Sequence, residues 1–498
     1  MVHNPEGTTA EQAAGAIWRG DLTSVAVVSE ALDRARRNAH LNAFVTLDEA
    51  GALQAAAAFD AANRGTRIRR PLGGVPVVIK DNIEVAGLPN TAGTPTLGTY
   101  VPKRDAPAVA LLRSAGAIVL GKTSMHELSC GISGYNPSFG TGDAPGVRNA
   151  YDSAFVAGGS SSGTGAAIGA RIVAAGLGAD TGGSVRIPAA LNGSCALRPT
   201  SGRYPSGGMV PISPTRDTVG PMAATMADLA LLDQVIASGP AVTPITLEGI
   251  RIGVVDAMLE NLDMDTGRAF GAGLAKLEAA GAIVIRVEMS GFKELNAALE
   301  MPVAIYEARD ALADYLDRCG IGISIEQLAG RIRSPDVREI YQTLILPRRV
   351  PGPHGTLADA KPLYDAAMAH GRPALQALYR DTFRSNRIDA IGFPTTPKVA
   401  LPCTPEASSP GNFALFIQNT APASNAGLPG LQIPLALGES SRLPVGLELD
   451  GPAGSDKRLL AIGAACEALF GRLPAPMERL APARAEEPQN AMMPRPGL

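Results

Sequence analysis

The chain has no surplus of positive charge. Its 44 Lys and Arg are outnumbered by 47 Asp and Glu, for a formal net charge of -3. The basic residues nowhere form a dense run, so a phosphate backbone would meet no matching field and a nucleic-acid-binding role is disfavoured. Long apolar runs are missing too, since none approaches the roughly 18 residues a membrane span needs. The opening MVHNPEGTTAEQ lacks a basic segment followed by an apolar one, and the expectation is a cytoplasmic protein. Cysteine is sparse: Cys130, Cys195, Cys319, Cys403 and Cys466 are odd in number, scattered, and show no CxxC spacing. That excludes a zinc ribbon or a redox disulfide and leaves buried, reduced thiols.

What the chain does have is glycine and proline, 56 and 40 of 498 residues, in a composition that is 46% hydrophobic. Such a length allows about three domains or one large α/β unit. The first 65 residues read as helices, with capping-box spacing at Thr8 and Glu11 and helical periodicity over 25–37 and 50–62. From Gly74 short apolar runs take over, at 75–79, 117–121, 171–179, 251–256, 282–288, 389–395 and 431–437, separated by helical patterns. The alternation predicts an α/β fold: one large mixed, mostly parallel β-sheet with helices on both faces. Charge and helix formers dominate 291–385, where strand signals are absent, so a helical insertion is expected there. Residues 1–480 then form one domain, and the proline-rich 481–498 a flexible tail.

The conspicuous stretch is AGGSSSGTGAAIGARIVAAGLGADTGGSVRIPAA, residues 157–190. Glycine permits close approach and positive φ, and consecutive N–H groups at a helix start form a pocket for negative charge. Three readings compete. A phosphate cradle has only a near-match to GxGxxG and no GxxxxGK[ST]. Two tight turns in a packed α/β protein would suffice for either loop alone. A serine nucleophile is the third, since Gly159-Ser160-Ser161-Ser162-Gly163 matches GxSxG and would make Ser161 the nucleophile of a Ser-His-acid triad. Only His354, in a PGPHG turn, and His370, inside a helical pattern, lie far enough downstream to serve. His126, in MHELS, resembles half of HExxH, but Cys130 holds the second position. Without a histidine, a lysine can be the base. Lys80 follows the apolar run VPVVI, and a desolvated ammonium loses its proton readily; beside Asp81 it could equally be a snorkelling surface residue.

Taken together, GGSSSG (158–163), GADTGGSVRIPAA (178–190) and PVVIKDNI (76–83) resemble the amidase signature family of serine amidohydrolases over residues 70–470. TAGT (91–94), GKTSMHELSCG (121–131), LRPTSGRYP (197–205) and DTVGPM (217–222) support the likeness. The resemblance implies a Ser-cisSer-Lys triad: Ser184 the nucleophile, Ser160 the bridging serine in a cis peptide, and Lys80 the base. It implies an oxyanion hole from the N–H groups of Thr181, Gly182, Gly183 and Ser184, with Asp180 and Arg186 as supporting residues. Arg186 could instead pair with an acidic substrate. No cofactor or metal is implied, and relatives suggest a homodimer. The chain departs from the common GGSSGGS at Ser162 and Thr164, which touches loop shape rather than the triad.

Within that family the likeness is to the indoleacetamide and mandelamide hydrolases, through 121–141, 201–220, 301–315 and 420–451. It implies a small arylacetic-type primary amide as substrate, with carbamates or aryl-anilides as alternatives and, on the same scaffold, the A subunit of a tRNA-dependent amidotransferase as a rival. Met125, Gly131, Ile132, Tyr135, Phe139, Ile305, Tyr306, Phe413 and Phe416 are the candidate acyl-pocket residues. With aromatics only 4% of the chain, their grouping fits an apolar pocket, although ordinary packing would also explain each one.

Overall fold

The computed structural model describes residues 7–63, 69–140, 145–352 and 356–476. Among these described residues thirteen strands run in chain order: β1 (Phe44–Leu47), β2 (Pro76–Lys80), β3 (Ile118–Thr123), β4 (Ala175–Asp180), β5 (Cys195–Arg198), β6 (Thr218–Ala223), β7 (Arg251–Val254), β8 (Ile283–Arg286), β9 (Arg349–Pro351), β10 (Leu357–Asp359), β11 (Ala390–Pro394), β12 (Gly430–Leu437) and β13 (Pro444–Asp450). Eleven form one sheet, ordered β1-β3-β2-β4-β6-β5-β12-β13-β11-β7-β8. The sheet is mixed. The blocks β3-β2-β4 and β11-β7-β8 are parallel, while the strands between them pair antiparallel.

Helices cover both faces, as the alternation of side chains along each strand requires. On β2, Val77 and Ile79 join a core with Val109, Leu112, Leu229, Leu232 and Leu460, from the helices Pro107–Ser114, Met226–Ile236 and Asp456–Phe470. Val78 points the other way, into a core with Val28, Leu32 and Ile168 from Ser24–Arg37 and Ser162–Gly169. Successive residues of one strand thus serve opposite layers.

Several expectations need adjusting. The capping box falls one residue later, on Thr9 and Gln12, and the N-terminal helices are interrupted by β1, which closes the sheet edge against β3. The apolar run at 171–179 becomes strand only from Ala175, because Arg171 adopts a positive φ of 58° and turns the chain. Strands β5, β6 and β13 had no run of their own. Strand β6 contains a Gly-Pro pair and is held between β4 and β5 by tertiary pairing. The region 291–385 carries the long helix Phe292–Arg318 and the shorter Ile325–Ala329, Pro335–Ile340, Ala360–Ala366 and Arg372–Asn386. It also holds the ribbon β9-β10, too short to signal itself by periodicity. Cys195 and Cys466 are buried and the other three cysteines half-buried, all as free thiols. His354 and the tail 481–498 lie outside the described residues. No helix among the described residues is long and apolar enough to cross a membrane.

Candidate active site

Strands β2 and β4 are parallel neighbours, and their carboxyl ends deliver Lys80 and Asp180 side by side. Open α/β sheets place their sites at such ends. Lys80 is fully buried; its Nζ donates to Ser160 Oγ at 2.7 Å and to the Ala179 carbonyl at 3.5 Å. Burial lowers the lysine pKa to about 7, against the opposing pull of Asp180, Asp217 and Cys130. Asp81, next in sequence, does not neutralise it. That carboxylate instead lies 3.4 Å from Lys122 Nζ and accepts from Thr91. The snorkelling alternative for Lys80 is therefore wrong.

Ser160 follows a cis peptide bond from Gly159, and its carbonyl accepts from the His126 N–H at 3.3 Å. Ser161 is tied up structurally: its N–H donates to the Ser184 carbonyl at 3.0 Å, and its Oγ donates to the Ala179 carbonyl at 3.2 Å. The GxSxG reading is overturned, since Ser161 meets backbone rather than an imidazole. The two family departures hold the loop as well. Ser162 Oγ donates to the Ser160 carbonyl at 3.4 Å, and Thr164 Oγ1 lies 2.7 Å from Thr123 Oγ1. Between them Gly163 passes so close to β1 that a Cβ would stand 2.2 Å from the Ala43 carbonyl oxygen.

The loop after β4 carries Ser184 half-buried. Gly183 takes a φ of 127°, which favours glycine, and a Cβ there would stand 2.2 Å from Thr420 Oγ1. Its N–H donates to Asp180 Oδ1 at 3.0 Å. This corrects one oxyanion-hole assignment: Gly183 is turned inward by the carboxylate, leaving the N–H groups of Thr181, Gly182 and Ser184 without acceptors among the described residues. Asp180 also accepts from the Val185 N–H, Arg186 and Arg198. Burial would raise its pKa, but the two guanidinium groups hold it well below the usual carboxylate range. Arg186 bonds Asp180, Glu448, the Thr420 carbonyl and Ser424 Oγ, all of them protein groups, which fits the supporting role rather than substrate pairing. Asp217 Oδ1 accepts from Thr181 Oγ1 at 2.6 Å, and Thr420 Oγ1 donates to the Gly182 carbonyl at 2.6 Å. Sequence reasoning did not single out Arg198, Asp217, Thr420 or Glu448, which it covered only within longer motifs.

The other candidates divide. Ile132, Phe413 and Phe416 share an apolar cluster with Ile187, three residues past Ser184. Met125 is buried beneath the loop, its carbonyl accepting from Asn136, and Gly131 lies against the His126 ring. Tyr135 and Phe139 are half-buried on the following loop. Ile305 packs elsewhere, in the core of the helical region. Tyr306 stacks on Tyr364 at 4.3 Å, with the Arg348 guanidinium 4.7 Å above its ring. His126 Nε2 meets Asp336 Oδ2 at 2.9 Å, and Glu127 accepts the N–H groups of Arg333 and Ser334, so the HExxH-like pair serves to join loop and helical region. His370 is exposed. No cluster of three or more metal-ligating residues occurs among the described residues.

A buried lysine on a serine, beside a glycine-rich loop with free N–H groups, is the equipment of acyl transfer without histidine. Comparison with known proteins agrees. The family model "Amidase" matches residues 26–460, and the chain belongs to the amidase family. It is an amidohydrolase acting on C–N bonds. Among relatives, it is 44% identical to the mandelamide hydrolase of Pseudomonas putida over 94% of this chain and 92% of that protein. It is 39% identical to the indoleacetamide hydrolase of Agrobacterium vitis over 92% and 96%. The crystal structure of the native peptide amidase from Stenotrophomonas maltophilia superposes with a TM-score of 0.79 at 28% identity, covering 94% and 98%.

Proposed function

We propose that this amidase hydrolyses a small arylacetic-type primary amide to carboxylate and ammonia through an acyl-enzyme on Ser184. One observation carries the mechanism: an amine brought to a pKa of about 7 by burial, 2.7 Å from a serine hydroxyl. With Lys80 neutral, the contact reverses, and Ser160 O–H donates to Nζ while its oxygen accepts the proton of Ser184. Ser184 Oγ attacks the amide carbonyl, and the oxyanion is received by the N–H groups of Thr181, Gly182 and Ser184. The proton returns through Ser160 to the nitrogen, the C–N bond breaks, and ammonia leaves. Water then attacks the ester along the same relay and frees the acid. The apolar set Ile132, Ile187, Phe413 and Phe416 would take the aryl group, and the two relatives named for arylacetic-type amides support that substrate class.

The test is ammonia release by the purified chain from phenylacetamide and indoleacetamide, with aryl-anilides and carbamates alongside. Primary amides are expected to turn over fastest. Faster turnover of anilides or carbamates would displace the substrate assignment, and full activity in Ser184→Ala would displace the nucleophile.

A further inference from the structure

Behind the loop that carries Ser184, three carboxyl groups and two guanidinium groups share one fully buried cluster: Asp180, Glu448 and Asp450 face Arg186 and Arg198. Glu448 and Asp450 are two residues apart on β13, so their side chains leave the strand on the same side. Both lean on Gly430 of β12, which lies opposite Asp450 in the sheet. A Cβ at position 430 would stand 2.9 Å from Glu448 Oε1, 3.1 Å from Asp450 Oδ1 and 2.9 Å from Arg186 Nη1. The missing side chain thus leaves one small space where two carboxyl oxygens and a guanidinium nitrogen meet.

The charges in this cluster do not balance. Arg186 and Arg198 both bond Asp180, and Arg186 also bonds Glu448. Among the described residues no guanidinium bonds Asp450. Its Oδ2 meets the Tyr379 hydroxyl at 3.5 Å, while its Oδ1 and Glu448 Oε2 are buried without a hydrogen-bond partner. The third guanidinium nearby, Arg216, has Glu300, Asp217 and Glu307 around it. On the helix Asp456–Phe470, Asp456 bonds Thr200 and Arg458 pairs with Asp389. A leftover ionised carboxylate is costly in such surroundings. One proton removes the excess charge and also supplies the missing donor. Burial, and after it the Glu448 charge, drives the Asp450 pKa well above the usual carboxylate range, whereas Asp180 is held down by its two guanidinium groups.

We infer that Asp450 stands in the folded protein as a neutral acid sharing its proton with Glu448, and that it is a positioning residue for the Ser184 loop. The second part rests on the amidase reading above. The route runs from Glu448 to Arg186 and on to Asp180, whose Oδ1 turns Gly183 inward. Loss of the proton would set two carboxylates against each other on one strand and pull Arg186 from Asp180.

An aspartate in the unfolded chain titrates near about 3.9. The folded chain keeps the proton to higher pH, so this group stabilises fully below about pH 4, and its contribution is lost as pH rises to the folded value. Asparagine copies the neutral acid and does not titrate. The experiment records melting temperatures of the wild type and Asp450→Asn from about pH 4 to about pH 9, a span that includes the values buried carboxyls reach, with an infrared difference spectrum of the two at neutral pH. The wild type should lose melting temperature relative to Asp450→Asn as pH rises, and should show the carbonyl-stretch band of a protonated carboxylic acid that the variant lacks. A difference in melting temperature that does not change with pH, or the absence of that band, would overturn the neutral acid. Should Asp450→Asn fold poorly, Glu448→Gln keeps the test. With the neighbouring charge gone, Asp450 can ionise against Arg186, so the band should vanish there too, and its persistence would count against the shared proton. For the positioning role, Asp450→Ala should lower kcat for amide hydrolysis by up to roughly 10²-fold, and Asp450→Asn should recover most of that loss. Equal kcat in the wild type and Asp450→Ala would reject the role. A wild type that hydrolyses no amide would remove that role with the amidase reading, and leave the shared proton to the melting and infrared results.

Discussion

At the scale of single residues, the proposed chemistry turns on what burial does to one amine. An exposed lysine is protonated at neutral pH and cannot act as a base; fully buried Lys80 is brought to about 7. Because the active form is the deprotonated one, kcat/KM should rise with pH through about 7 and level off above it. Lys80→Ala should lose on the order of 10³-fold or more in kcat, together with that rising limb; a variant that keeps both would rule out Lys80 as the base. For Ser184→Ala a loss of similar or larger size is expected with an unchanged melting temperature, since the hydroxyl makes no hydrogen bond among the described residues. Since the proposed base is this amine and not a metal-bound hydroxide, EDTA should leave ammonia release unaltered. Inhibition by EDTA that zinc reverses would bring the His126 loop back into question. Much of this was legible in advance: Lys80 at the end of an apolar run, and serines among glycines. Which serine meets Lys80 was not legible from local pattern, because Ser160, Ser161 and Ser162 are equivalent there and differ only in what the fold sets against each.

Elements matter because the loop that carries Ser184 is shaped from outside. Thr420, at the start of the helix Ala421–Ala426, bonds the Gly182 carbonyl and fills the space a side chain at 183 would need. Gly183→Ala should therefore lower kcat by roughly 10²-fold, the scale of loss for an ångström-sized misplacement of reacting groups. Thr420→Val, which removes one bond and keeps the shape, should cost less; equal losses in the two variants would show that space is not the issue. The long helix Phe292–Arg318 acts in the same way at one remove. Its Glu307 accepts from Ser213 Oγ at 2.6 Å and the Thr215 N–H at 3.1 Å, fixing the turn that presents Arg216 and Asp217. A helical insertion was expected there from the charge and helix formers of 291–385. Its bearing on the site was not, because Glu307 and Ser213 lie 94 residues apart in the chain.

For the molecule as a whole, the site and the sheet share one buried charge network. Arg186 and Arg198 face Asp180 and Glu448, all fully buried. Removing one partner strands the others, so Arg186→Met should destabilise by about 3–5 kcal/mol and lower the melting temperature along with activity. A contrast lies at the N-terminus, where Asp228 accepts the Ala10 and Glu11 N–H groups at 3.0 Å each. Asp228→Ala should cost about 1–3 kcal/mol with kcat intact, and a drop in kcat would show that the N-terminal helix reaches the site. The sequence by itself determined the strand–helix alternation, the lysine and serines on which the proposed chemistry rests and the glycines around them, because these depend on periodicity, side-chain type and backbone freedom within a few residues. Only the tertiary structure decided that Asp81 serves Lys122, that Gly183 turns inward, that Ser161 is structural, and that Arg186 meets a glutamate 262 residues away. Those outcomes depend on which groups lose water together, and no local stretch of chain specifies its neighbours across a sheet.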